Sequence, residues 1–139
     1  MGLKGIAIKT VYESVFAYPL TDETTAPTTG VKYVTEPAPY ALTITDVIGG
    51  LTTAGTGAAL FTFDILLEDT APNTNTFTTI FTTKPTIDAS EFTTTTAATP
   101  MVLSVTTVAK GKRLQLKIDT LDTNGLARGA KIGILYRRS

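Results

Sequence analysis

The 139-residue chain contains no histidine, no cysteine and no tryptophan. Without an imidazole or a thiol, the familiar nucleophile–base pairs cannot be assembled, and zinc is left without its nitrogen and sulfur ligands. No disulfide can staple the fold, and cysteine usage says nothing about compartment. An excess of one charge is missing too. Twelve basic and twelve acidic residues give a formal net charge of zero, so no overall field draws the chain toward nucleic acid or an anionic membrane. Long hydrophobic runs are absent as well. The opening MGLKGIAIKTVYESVFAYPL is broken by Lys9 and Glu13, unlike the apolar centre of a secretion signal. No later stretch approaches a membrane span, and Ile6 stands where a myristoylation pattern needs Ser or Thr. These absences lead to the expectation of a soluble protein with no cofactor.

Threonine is what the chain has in abundance, in runs such as TTGVKYVT, NTNTFTTIFTT and EFTTTTAATP. Its branched Cβ favours extended backbone, and its hydroxyl keeps an exposed strand face wet. Apolar residues interleaved with these runs argue against a glycosylated stalk, where they would have nothing to pack on. A chain of this length can bury roughly two-thirds of its extended surface, so residues 1–139 are read as a single domain with a core of its own.

Period-two patterning dominates. In RLQLKID, Leu114, Leu116 and Ile118 face one way and Gln115, Lys117 and Asp119 the other. KIGILYR repeats the device with Ile132, Ile134 and Tyr136. ALFTFDILLED sets Phe61, Phe63, Ile65 and Leu67 toward a core, and MVLSVTTV offers Leu103 and Val105 to one side. Earlier strands are expected around GIAIKTVYESVFAY and YALTITDVI, with TDETTAPTTG and TEPAPY as loops. The expected fold is an all-β, antiparallel β-sandwich of about seven or eight strands, with a jelly roll preferred over an immunoglobulin-like version. Residues 1–18 are expected to act as an assembly arm or an edge strand.

The candidate sites are few. GTGAAL, from Gly55, has two glycines of a dinucleotide fingerprint, but Leu60 replaces the third and no helix pattern follows. Gly111 and Lys112 lead into a strand, which makes a turn and not a phosphate loop. DTLDTNG superficially resembles a calcium loop, yet Lys131 falls where the bidentate acid belongs. Asn124-Gly125 instead suits a turn needing positive φ, with Gly129 relaxing the return and Arg128 projecting toward a partner carboxylate.

Asp64, Glu68 and Asp69 form the densest acidic cluster, the one place for a carboxylate pair. Their position close to a turn points to hydrated acids, and the expectation is no enzyme activity. Lys110, Lys112 and Arg113, with Arg137 and Arg138, concentrate positive charge and suit docking to an acidic protein surface. Tyr33 and Tyr40, in loop-like surroundings, are the candidates for stacking a sugar.

From FTFDILLEDT onward the chain resembles the β-sandwich domains of tailed-bacteriophage virion proteins, over residues 60 to 136. In those domains a strand ends near an aspartate, here Asp64, and a Pro-Thr-Ile-Asp segment follows, here residues 85–88. A proline then introduces an apolar strand, here Pro100 to Val105, and a hydrophilic turn leads to a glycine-preceded final strand, here Gly129 to Tyr136. Where the family often has Gly-Ser or Gly-Thr before the last turn, this chain has Asp122-Thr123-Asn124. The resemblance implies a jelly-roll capsid decoration or cement protein on the virion surface, made in the host cytoplasm. It would be a homotrimer whose partners are the major capsid protein or other virion proteins. The alternative it leaves open is a fibre, tail or head-fibre accessory module that binds host-surface carbohydrate.

Overall fold

A computed structural model describes residues 14–69 and 75–139. Eleven strands follow one another: β1 (Ser14–Pro19), β2 (Gly30–Val34), β3 (Leu42–Gly50), β4 (Phe61–Glu68), β5 (Phe77–Thr79), β6 (Phe81–Thr83), β7 (Thr86–Ile87), β8 (Val102–Leu103), β9 (Thr107–Val108), β10 (Leu114–Thr120) and β11 (Lys131–Arg138). The helical content among the described residues is one 3-10 turn, Thr94–Thr96. One sheet runs β1-β11-β3-β9; the other runs β2-β10-β4-β5, with β7 also on β4, and β6 and β8 form a separate ribbon. All the pairings are antiparallel.

The two main sheets enclose one hydrophobic core. Leu114, Leu116 and Ile118 of β10, with Phe61, Phe63 and Ile65 of β4, meet Ile132, Ile134 and Tyr136 of β11 and Leu42, Ile44 and Val47 of β3. This is the alternation expected from RLQLKID, KIGILYR and FTFDI, and it makes the chain an all-β, sandwich-like protein. Each fully buried side chain of this kind stabilises the fold by about 1.5–3 kcal/mol. The sheets approach closely at Gly49, where an added β-carbon would stand 2.4 Å from the Phe63 ring. A bare residue at that point leaves the ring its space.

The structure divides strands more finely than the expected seven or eight. MVLSVTTV is not one strand: the amides of Ser104 and Val105 both donate to the Ile80 carbonyl, at 2.8 and 3.2 Å. The chain turns there, so Leu103 belongs to the ribbon and Val108 to the sheet of β3, while Val105 is exposed. Ile80 itself is fully buried between β5 and β6 and donates its amide to Ile65. Of the expected arm or edge strand, residues 1–13 lie outside the described residues, and Ser14–Pro19 forms an edge of its sheet beside β11.

Candidate functional site

Among the described residues, β1 and β2 each end their sheet, and contact between their tyrosines places them on the same side of the sandwich. The rings of Tyr18 and Tyr33 face each other across the gap, with centroids 4.8 Å apart. Behind them Phe16 stacks on Tyr136 at 4.3 Å with the planes only 8° apart. Tyr40 completes the set, and together these rings line a cleft of about 310 Å³ with Glu36 and Lys112 among its other walls.

Local bonding explains how the cleft is held. Beyond β2, the amide of Thr35 donates to the Leu114 carbonyl at 2.8 Å, and the amide of Leu114 returns a bond to the Thr35 hydroxyl at 2.9 Å. The amide of Ala38 donates to Lys112, and that of Gly111 donates to Ala38. Residues 35–40 are thereby laced to the chain just before β10, which brings Glu36, Tyr40 and Lys112 to one opening. Burial pushes the Tyr18 phenol above its ordinary value, with Tyr33 and Tyr136 adding to the rise. The Tyr40 phenol is also raised, first by its hydrogen bond with Tyr136. Both stay neutral hydrogen-bonding groups at physiological pH. The Arg138 guanidinium lies 4.5 Å over the Tyr40 ring and covers one of its faces.

The sequence-predicted residues separate into those at the cleft and those spent elsewhere. Tyr33 and Tyr40 both line the cleft, although Tyr33 sits in β2 and not in a loop. Lys112 reaches the same cleft, and Arg138 reaches its edge; Lys110 and Arg137 are exposed. Arg113 turns inward. Its Nη2 and Nε donate to the Glu68 carboxylate at 2.9 and 3.2 Å, and the guanidinium lies 5.4 Å over the Phe77 ring. Arg128 donates to the carbonyls of Thr24, Gly125 and Ala127, so it ties two loops of the scaffold together.

The acidic cluster corrects the expectation of hydrated carboxylates. Asp64 is 2% exposed and Glu68 is 1% exposed. Asp64 accepts from the Thr79 hydroxyl and lies 3.1 Å from the Lys84 ammonium, which also reaches Asp119 at 3.0 Å. Glu68 takes the Arg113 guanidinium and the Arg113 amide. Asp69 accepts from the Thr78 hydroxyl. Buried carboxylates need such partners, because an uncompensated charge in the interior costs several kcal/mol.

The polar turn after β10 is a bonded corner. Asp122 is buried, and its carboxylate accepts from the amides of Leu126 at 2.9 Å, Thr56 at 3.1 Å and Ala127 at 3.3 Å. Burial alone would raise its pKa, but the amides outweigh that and hold it below the usual carboxylate range. Gly125 and Gly129 take positive φ, as the turn reading requires. Lys131, at the last calcium-ligand position, is paired with Glu23 at 2.9 Å. Gly55 and Gly57 of the glycine-rich stretch lie against Asp122 and Thr123, which places that segment in the same corner.

Sequence reasoning missed Phe16, Tyr18 and Tyr136 as cleft residues. Phe16 and Tyr18 lay in an expected strand, and Tyr136 was assigned to the core face, where it is indeed buried. The available signal was the shared parity of Phe16 and Tyr18, which places two rings on one face of β1. No family model matches the chain, and no curated protein or solved structure shows significant similarity to it.

Proposed function

We propose that the chain is a non-enzymatic structural protein of a tailed-bacteriophage virion, a decoration or cement protein that attaches to the head through the open edges of β1 and β2. The observation that carries this reading is the set of apolar side chains on those two edges: Val15 is 59% exposed, Val31 46% and Val34 41%. An unpaired strand edge offers a row of backbone donors and acceptors to a neighbour, and proteins that stay alone usually blunt it with charge or proline. Here the one lysine of β2, Lys32, bends back to the Thr28 hydroxyl at 2.7 Å, and Pro19 stands only at the end of β1. The zero net charge supports the reading as well, since many copies can crowd on one particle with little mutual repulsion. A jelly-roll wiring, a trimer closing around a threefold axis and the major capsid protein as partner belong to the same proposal.

Sedimentation with particles tests it. The purified chain is mixed with heads from the phage whose genome encodes it and spun through a cushion, with electron cryomicroscopy of the pellet. The expected result is saturable binding at regular positions on the head. A Val31→Glu/Val34→Glu variant that keeps its circular dichroism spectrum is expected to stay in the supernatant. Wild-type chain that does not sediment, or an edge variant that binds as well as wild type, overturns the proposal.

A further inference from the structure

The cleft between β1 and β2 has chemistry that edge-to-edge docking does not use. We propose that it is a saccharide site taking one or two neutral pyranose rings, with Tyr33 as the stacking platform and Glu36 and Lys112 as the groups that engage the sugar hydroxyls. This goes beyond the structural role above and stands without it.

A pyranose has an apolar C–H face and an equatorial belt of hydroxyls, each of which donates and accepts. A site for it needs an accessible aromatic face beside both kinds of polar group. Tyr33 is 41% exposed, and the Tyr18 ring packs against it at 4.8 Å with a 35° tilt, so the platform is held in place while part of its surface stays open. Tyr40 is the poorer platform because it is less exposed than Tyr33 and Arg138 already lies over its ring. The stacked pair Phe16 and Tyr136 occupies the inner wall, ahead of the core.

Glu36 supplies acceptors and Lys112 supplies donors, one charge of each sign on the walls, while the Arg138 guanidinium at the edge is engaged by the Tyr40 ring. A neutral ligand suits that balance better than a phosphate or a quaternary ammonium. The volume of about 310 Å³ lies at the small end of ligand sites, roughly 300–1,000 Å³. That suits a ligand of one or two rings and leaves the rest of a longer glycan in solvent.

The experiment uses the full chain and a panel of neutral methyl pyranosides and disaccharides of glucose, galactose, mannose and N-acetylglucosamine. Saturation-transfer NMR identifies binders, and chemical-shift titration gives affinities. At least one sugar is expected to bind with its ring C–H protons saturated most strongly. Tyr33→Ala should weaken binding about tenfold or more, while Tyr33→Phe, which keeps the ring, stays within about threefold of wild type. Glu36→Gln should weaken binding in a folded protein, since Glu36 is exposed. No binding across the panel overturns the inference. So does sugar binding that survives both Tyr33→Ala and Glu36→Gln, which would place the sugar elsewhere on the protein. Loss of head binding by the edge variant with sugar binding intact would separate this site from the docking role.

Discussion

Gly55 lies flat against Asp122: a β-carbon on residue 55 would stand 2.6 Å from both Cβ and Cγ of the aspartate. The carboxylate that organises the corner after β10 is therefore seated against bare backbone. Gly55→Ala should push Asp122 off its three amides and destabilise the protein by about 2 kcal/mol, in the range of overpacked sites. Gly125 provides the comparison, because it has open space around it but a φ of +63°. Gly125→Ala should cost about 1 kcal/mol, from backbone conformation alone. Urea unfolding of the two variants gives the order; a Gly55→Ala cost no larger than that of Gly125→Ala would mean that Asp122 is not what confines residue 55.

Asp122 also predicts an acid limb in the stability curve. Its folded pKa lies below the ordinary carboxylate value, so the unfolded chain takes up the proton first as pH falls. The stabilisation is complete above the unfolded value of about 4 and is lost as pH drops through the folded value. The stability difference between wild type and Asp122→Asn should be constant from neutral pH down to about 5 and shrink below about 4. Asp22 is held down to about 2 by the amides of Thr25 and Thr24 and titrates in the same region. It is present in both proteins and cancels from the difference. A difference that stays flat to pH 2 would refute the assignment.

The pair formed by Glu68 and Arg113 should behave asymmetrically. The Glu68 side chain is fully buried and that of Arg113 is about a quarter exposed. Glu68→Gln leaves the guanidinium with a weaker acceptor and should cost about 2 kcal/mol, below the usual 3–5 for breaking a buried pair because water reaches the arginine. Glu68→Gln combined with Arg113→Met removes both charges while leaving a side-chain carbonyl oxygen for the backbone amide of residue 113, and should return to within about 1 kcal/mol of wild type. Thermal and urea unfolding of the single and double variants would decide between them; a double variant worse than the single one would show that the ion pair adds net stability.

Gly49 and Phe63 form a steric couple across the sandwich. Gly49→Ala brings a methyl group into the Phe63 ring and should destabilise the fold by about 2 kcal/mol. Phe63→Leu should be less harmful in that background than in the wild type, because part of the clash is removed with the ring. A double-mutant cycle measures the coupling, and strictly additive effects would argue against direct contact.

The strands RLQLKID, KIGILYR and FTFDI were legible because each has one dry face and one wet face, and two-residue periodicity is a local property. Their pairing was not, since β11 sits between β1 and β3, far from both in the chain. Asp64 and Glu68 were read as hydrated because their partners Lys84 and Arg113 are remote in sequence and only folding brings them close. Tyr33 and Tyr40 stood out as aromatic residues among loop formers. The rings facing them come from β1 and β11, whose meeting is a matter of topology. Two of the six basic residues considered as partner contacts, Arg113 and Arg128, are occupied by internal acceptors that no local pattern announces.

The place of β11 between β1 and β3 has a consequence for synthesis. β1 and β3 have no shared neighbour until β11 has left the ribosome. Closure of this sheet therefore waits for residues 131–138 to be made, in the slow regime that non-local pairing imposes. The nascent chain should then depend on chaperones most heavily just before residues 131–138 emerge.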